Sequence, residues 1–531
     1  MPSVVTPIVR RRLREAPRLE LAAYAALVVL ALGLRLIDLG SRPFHHDESQ
    51  DAYFSWLLFK QGEYAYNPLL HGPLRFYLTT AMYGVFGAGD VSARMAPALM
   101  GATMVGLPSL LRAQLGRGGA LVAAALLAVG PSYLYFSRFA REDIYIACIT
   151  LGLIVVVLHF LDVPRRHHPV LMGALLAASF ATKESTFITV FVAGTFLGPL
   201  ALWQARRDGW RRAPLLRSVM SLGWRPWAWG AAAFWFVFAL LFTVFFTNPS
   251  GLWDGIHDGL AYWLGQQPVA RGGEPVGFYA FLLLGEEWPV LGLAAVGIAA
   301  IVRSRSVGGW LIVWMFALSL GVYSWASEKF AWLLLHPLLP LILLAGIGAQ
   351  ALWAARDRAA GRVGLVMAVL GALYVGYASY TVNAVNSADP RELLVSTQSS
   401  TQVADVRDEV RELARRADGK LTVTVDAAEG ATFPWAWYFR DLPVGYLDLA
   451  QASAGPPQAQ VLILTEAARL RMLPELAAYE GRRFDFRVWW IKDYVAGLAP
   501  ANWLPWMTDR TPWNPTGGMA EWLYIRRDTA A

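Results

Sequence analysis

Apolar runs long enough to cross a bilayer recur between Leu21 and Tyr380, separated by short polar stretches that gather the charge. The runs are Leu21–Ile37, Met95–Leu111, Ala120–Phe136, Ile144–Leu161, Val170–Ala181, Phe187–Leu202, Ala228–Phe246, Phe278–Val302, Trp310–Tyr323, Trp332–Leu352 and Val363–Tyr380. Several are short for a hydrocarbon core of about 30 Å, so their helices must extend into flanking residues. The pattern predicts a polytopic α-helical membrane protein with about 11 transmembrane helices. A further apolar stretch, Leu74–Gly87, is too short to cross at about 14 residues. It reads as a helix lying at the interface, with Tyr77, Tyr83 and Phe86 as anchors.

The loops fix an expected orientation. Basic clusters fall at Arg10–Arg18, Arg112/Arg117, Arg165/Arg166, Arg206–Arg225, Arg303/Arg305 and Arg356–Arg362, in every loop on the N-terminal side. The positive-inside rule makes that side cytoplasmic. Counting Leu74–Gly87 as a span would put all the later clusters outside. Arg10–Arg14 precedes the first run, but no small-x-small cleavage site follows that run, so it reads as a retained anchor in a multi-pass protein of the cell membrane. The same parity makes residues 38–94 an outer loop and everything after Tyr380 extracytoplasmic.

After residue 382 the pattern changes. Asp405–Ala417 reads as a charged amphipathic helix, with Ser400 or Thr401 as its cap. Leu421–Val425, Val444–Leu447, Val461–Thr465 and Phe484–Ile491 read as strands, with a helix at Glu466–Ala478 and a loop at Gly455-Pro456-Pro457. These elements predict an extracytoplasmic α/β domain over residues 383–531, following a transmembrane domain over residues 1–382. It carries no glycine-rich phosphate-loop motif, so a nucleotide-binding reading has nothing behind it.

Composition agrees. The chain is 56% hydrophobic and only 16% charged, against about 25% charged for an average soluble domain. The single cysteine, Cys148, lies in an apolar run, which excludes a disulfide and a cysteine zinc site within the chain. The net charge of +7 is accounted for by the basic loops, so no nucleic-acid partner is expected.

The chemistry-bearing residues fall in loops of the other parity. Phe44-His45-His46-Asp47-Glu48 follows the first run. Arg138, Arg141, Glu142 and Asp143, then Lys183-Glu184, then Glu328-Lys329 occupy three short loops on the same face. Charges at membrane depth are costly unless paired or functional, so their convergence marks a candidate active site. An acidic pair beside cationic groups suits sugar transfer from a polyprenyl-phosphate donor. A carboxylate (Asp47 or Glu48) takes the acceptor's proton, and guanidinium and ammonium groups hold the departing phosphate. Each residue also has a plainer reading: Asp47-Glu48 as a helix N-terminus, and the basic residues as headgroup contacts or structural ion pairs. His45, His46 and His71 are candidate ligands of a divalent metal with the carboxylates, and Asp254, His257 and Asp258 are a weaker set.

The N-terminal half resembles the GT-C superfamily of membrane glycosyltransferases, the clan of the dolichyl-phosphate-mannose protein mannosyltransferases and the aminoarabinose lipid A transferases. Asp47-Glu48 matches their first-loop acidic motif, His71-Gly72-Pro73-Leu74 resembles their His-Pro-Pro-Leu segment, and Ser137-Arg138 through Asp143 resembles their second-loop motif. Gly72 stands where that segment has its first proline. Across most of the chain the resemblance is closer to the flippase-activity-associated glycosyltransferase-like proteins of archaea and bacteria. It rests on Phe44–Glu48, Phe136–Phe139, Ala181–Glu184, Tyr323–Ala326 with Glu328-Lys329, His336–Pro340 and Trp435-Ala436-Trp437-Tyr438.

The resemblance implies a GT-C-type hexosyltransferase with Asp47 as base and Glu48 as its alternate. Arg138, Lys183 and Lys329 would hold the lipid phosphate, and His71, Arg141, Asp143, Glu184, Glu328 and His336 would complete the donor site. The expected partners are a polyprenyl-phosphate sugar, an acceptor that is a protein, glycan or lipid-linked sugar, and the bilayer. The alternatives are a non-catalytic partner in moving lipid-linked sugars across the membrane, and a transporter. A transporter should show inverted repeats, which the sequence does not; Glu286-Glu287 inside an apolar run is the one feature that favours it.

Overall fold

Helices form over all eleven predicted runs in the computed structural model, which describes residues 17–62, 64–266, 269, 271–451 and 458–530. Arg10–Arg14 and the Gly455-Pro456-Pro457 loop lie outside the described residues. Seven unbroken helices are long and apolar enough to span a membrane: Arg18–Leu36, Asp143–Asp162, Thr186–Asp208, Trp224–Phe242, Val307–Trp325, Ala331–Ala354 and Ala359–Val385. Two further runs are bent pairs, Arg117–Val129 with Pro131–Ser137 and Phe278–Glu286 with Trp288–Ser304. The remaining two are the short helices Asp90–Gly106 and His168–Phe180. Leu74–Phe86 is a helix, as the sequence predicts.

Ala331–Ala354 is the most enclosed of the spans. Small residues let its neighbours approach: a Cβ on Gly348 would stand 1.9 Å from the Leu293 carbonyl oxygen, and one on Gly297 2.1 Å from that of Leu344. Val363, Val366, Val369 and Leu373 of Ala359–Tyr380 are exposed instead, as a lipid-facing surface requires. The two bends meet each other. Phe278–Glu286 and Trp288–Ser304 turn by 101° at Glu287, whose Oε1 accepts the Ser132 amide at 3.2 Å. Glu287 thus satisfies a free donor at the start of Pro131–Ser137, which gives this buried acid a structural role.

The chain divides into two packed units. One runs through Ile37 and takes in Gly62–Met82 and Arg94–Ala384; the other comprises Asp38–Gln61, Tyr83–Ala93 and Val385 onward. The first loop is therefore shared, where the sequence pattern assigned residues 38–94 wholly to the membrane domain. The reason is apolar: Phe44, Ala52, Tyr83 and Ala93 sit in one buried core with Val403, Val406, Trp435, Trp437, Phe484 and Phe486.

That second unit holds a mixed six-stranded sheet. Its strands are β1 (Gln398–Ser399), β2 (Val423–Asp426), β3 (Val444–Leu447), β4 (Val461–Thr465), β5 (Tyr479–Trp489) and β6 (Gly517–Arg526), ordered β1-β5-β6-β4-β2-β3. β3 and β4 match their predicted bounds, β2 begins later and β5 earlier, and β1 and β6 are additions. Helix Thr401–Arg416 is capped by the Ser400 side chain, which accepts the Gln402 amide. The predicted helix Glu466–Ala478 instead breaks into Glu466–Arg471 and a 3₁₀ turn, Glu475–Ala478, around Pro474.

Candidate active site

The site is built on a close backbone approach. Gly72 N–H donates to Thr182 O and Leu74 N–H to Ala181 O, at 3.1 and 2.8 Å. A Cβ on residue 72 would lie 2.2 Å from the Ala181 carbonyl, so only glycine fits where related segments carry proline. This contact lays His71 beside the Lys183-Glu184 turn. His71 Nδ1 lies 2.8 Å from Glu184 Oε2, and the Tyr66 hydroxyl donates to Glu184 Oε1 at 3.3 Å.

Glu142, with 0% exposure, is the hub of the charges. Arg75 Nη1 reaches its Oε2 at 2.7 Å, and Arg141 Nη2 and Lys183 Nζ reach its Oε1, each at 2.8 Å. Lys183 Nζ also holds Asp143 Oδ1 at 2.9 Å, where His336 Nε2 approaches to 3.7 Å. Burial pushes the Glu142 carboxyl up, but Arg141, Lys183, Arg75 and His71 outweigh it and hold its pKa well below the usual carboxylate range. Burial likewise opposes ionisation of Lys183, and the Asp143 and Glu142 carboxylates reverse this, raising the lysine's pKa. Glu184 is lowered, its burial overcome by His71. His71 is raised: Glu184 and Glu142 overcome the effect of burial.

A cavity of about 90 Å³ opens beside this network, lined by His71, Lys183, Glu184, Tyr262, Arg271 and Glu328, among others. Arg271 is held by short strand-like pairing: its N–H donates to Ser327 O, and its own carbonyl accepts from Lys329 N–H. The guanidinium contacts the Gln266 side chain and the Tyr262 hydroxyl and stands 3.9 Å from Glu328 Oε2. It is about 40% exposed, whereas Lys183 is held by two carboxylates. Arg271 is thus the cation of this cavity most open to an incoming anion.

The sequence-predicted residues separate accordingly. His71, Arg141, Asp143, Lys183, Glu184 and His336 are brought together in one network, with Glu328 on the cavity. Arg138 turns to the Leu34 carbonyl oxygen, at 2.8 Å, and Lys329 Nζ to that of Ala326, at 2.6 Å. Glu142, counted in the sequence only as one of the charges in its loop, is the centre of the network; Arg75 and Arg271 complete the site and were not singled out. Arg75 enters on the first turn of helix Leu74–Phe86, just after the His71 turn; Arg271 stands alone in a long loop, and neither position carries a sequence signal.

Asp47 and Glu48 belong to the other unit, in the first turn of helix His46–Gln61. Glu48, fully buried, accepts the His45 amide at 3.1 Å and the Arg42 guanidinium at 3.3 Å. This is the reciprocal carboxylate of a capping box. Asp47 is part-buried, and its amide donates to His45 Nδ1 at 3.0 Å. His45 and His46 lie in this unit and His71 in the first; among the described residues no three His, Cys, Asp or Glu are placed to hold a metal ion. His257 pairs with Asp258 at an exposed position.

Solved structures share the architecture. ArnT from Cupriavidus metallidurans in the apo state aligns with 86% of this chain and 95% of its own, at a TM-score of 0.58 and 16% identity. The chain has the fold of the GT-C membrane glycosyltransferases. ArnT bound to undecaprenyl phosphate aligns at TM-score 0.56 and 16% identity, covering 87% of this chain and 96% of ArnT. The Archaeoglobus fulgidus oligosaccharyltransferase aligns at 0.54 and 13% identity, covering 83% of this chain and 65% of its own. In sequence, the dolichyl-phosphate-mannose-protein mannosyltransferase family matches residues 70–223, the segment that supplies His71, Arg75, Glu142, Asp143, Lys183 and Glu184. No curated protein matches.

Proposed function

We propose that this chain is a membrane glycosyltransferase that moves a sugar from a polyprenyl-phosphate donor to a hydroxyl-bearing protein, glycan or lipid-linked acceptor on the extracytoplasmic side. The observation that carries the reading is the cavity of the first unit, where Arg271, Lys183 and His71 face one space beside a buried ion-pair network. The chemistry asks for such a cavity. The acceptor oxygen attacks the anomeric carbon opposite the phosphate, the carbon–oxygen bond to the phosphate breaks, and the donor's phosphodiester becomes a phosphomonoester. One further negative charge develops on the phosphate, so a cation there stabilises the transition state more than the ground state.

Arg271 is assigned to that phosphate, with Lys183 held charged behind it by Glu142 and Asp143. Asp47 is assigned as the base that takes the acceptor's proton in a single, inverting displacement. Glu48, already engaged as a cap, orients the helix that carries it. The undecaprenyl phosphate bound by ArnT supports a polyprenyl-phosphate donor of the same class.

Membranes containing the protein, supplied with a panel of radiolabelled polyprenyl-phosphate sugars, should transfer label from at least one donor to an endogenous acceptor. Asp47→Asn membranes should transfer it about 10²–10⁴-fold more slowly. Donor binding by purified protein without transfer from any member of the panel would favour the non-catalytic partner in lipid-linked sugar translocation.

A further inference from the structure

We propose that the C-terminal sheet domain is a positioning template for the Asp47 loop, with Tyr438 and Arg487 as the side chains that set it. The proposal rests on the assignment of Asp47 as the base.

Three of the four residues ahead of Asp47 are tied to this domain. The Pro43 carbonyl accepts from Gln398 Nε2 at 2.8 Å. Phe44 N–H donates to the Tyr438 hydroxyl at 2.7 Å, and Phe44 O accepts from Ser399 Oγ at 2.6 Å. The Phe44 ring is fully buried, with centroids 5.6 Å from Trp437 and 6.2 Å from Tyr438. His46 Nδ1 faces Arg487 Nη2 at 2.9 Å, and the same nitrogen donates to the carbonyls of Gly430 and Phe433. An arginine nitrogen only donates, so His46 Nδ1 is the acceptor of this contact.

Starting the helix needs none of this. Helix His46–Gln61 has its cap already, because Glu48 accepts the His45 amide. The ties to Gln398, Ser399, Tyr438 and Arg487 therefore act on something else: where the first helical turn, and Asp47 with it, is held. Three of these four residues come from strands β1 and β5, which pair with each other, and the fourth ends the Trp435-Ala436-Trp437-Tyr438 motif. A base misplaced by about 1 Å loses on the order of 10²-fold in rate, so fixing its backbone from a rigid sheet has direct catalytic value.

Tyr438→Phe keeps the ring packing and removes the acceptor of the Phe44 amide. Arg487→Lys keeps the charge and loses the guanidinium Nη2 that reaches His46, Gly430 and Phe433. Each should lower kcat by about ten-fold or more while leaving the donor KM within about two-fold. Ser399→Ala, a milder change at the same loop, should fall in the same direction. The decisive measurement is the double variant: Asp47→Asn/Tyr438→Phe should turn over no more slowly than Asp47→Asn alone, because a positioning residue has nothing left to position. Losses that multiply, or full turnover in both Tyr438→Phe and Arg487→Lys against an inactive Asp47→Asn, overturn the template while leaving the base in place. Full turnover in Asp47→Asn overturns the base itself and the template with it.

Discussion

Lys183 Nζ stands 2.8 Å from Glu142 Oε1, with side-chain exposures of 7% and 0%. A pair so enclosed is held by its neighbours as much as by itself. Desolvating two charges costs several kcal/mol per ion, and the interaction recovers this only when further partners satisfy the remaining oxygens and hydrogens. Arg75, Arg141 and Asp143 are those partners.

Removing one member should therefore expose the cost. Lys183→Met leaves Asp143 without its closest cation and should destabilise the protein by about 3–5 kcal/mol. Lys183→Arg should recover a good part of that loss. Thermal unfolding in detergent measures both, and a Lys183→Met protein as stable as the parent would mean that the network is wetter than its burial indicates.

The same network sets a pH window. Glu142 and Glu184 have lowered pKa values, so their contribution is complete above the unfolded carboxylate value of about 4.3 and is lost as pH falls through their folded values. His71 is raised, so its contribution is complete below about 6.5 and is lost as pH rises through its folded value. Stability from this cluster should be greatest between about pH 4.5 and 6.5. In Tm measured from pH 3 to 9, His71→Gln should flatten the alkaline side and leave the acid side.

Asp47→Asn should cost about 10²–10⁴-fold in turnover, with donor binding retained. Glu48→Gln should be far milder, since an amide oxygen still accepts the His45 N–H. Glu48→Ala should lose about 0.5–2 kcal/mol of stability for the cap alone, and more for the stranded Arg42. A reversed order in turnover would transfer the base to Glu48.

Arg271→Met should raise the donor KM by about ten-fold or more, the equivalent of about 1.4 kcal/mol of phosphate binding. Lys329→Met should weaken donor use less steeply, by loosening the Ala326–Lys329 segment along the cavity. Titration of both variants with the polyprenyl phosphate itself separates binding from chemistry.

Orientation is open to a direct test. Reporters at position 60 and in the C-terminal sheet should label from outside the cell, and one near Arg212 should be protected. Opposite labelling of position 60 and the sheet would remove the basis for an eleven-span count.

The membrane helices were legible because a bilayer-crossing run must be apolar whatever its neighbours are. β3 and β4 were legible for a similar reason, being short apolar segments between turn signals. β6 was not. It opens on Gly517-Gly518 and carries Glu521, which is 1% exposed and accepts the Trp435 indole N–H at 3.0 Å. Burial of that acid pushes its pKa well up, and no hydropathy pattern anticipates a carboxyl group in a sheet core. In the site, Lys183-Glu184 and Arg141–Asp143 stood out as charges among apolar runs. The Gly72 contact that joins them to His71 is a backbone approach between distant segments, which a sequence records only as a glycine.

The sheet order also dictates a timetable. β6, drawn from Gly517–Arg526, lies in the interior of the sheet between β5 and β4, so the sheet closes only when those late residues have been made. Phe44 and Tyr438 are 394 positions apart, which at about 5–20 residues per second is roughly 20–80 s of synthesis. For most of that interval, until Val385 has been made, the ribosome is still threading helices into the bilayer, and the Asp47 loop has no partner surface to settle on. Settling of the Asp47 loop is thus among the last events in the protein's biogenesis, and a membrane bundle inserted in full but lacking β6 would be a well-anchored product without its proposed base in place.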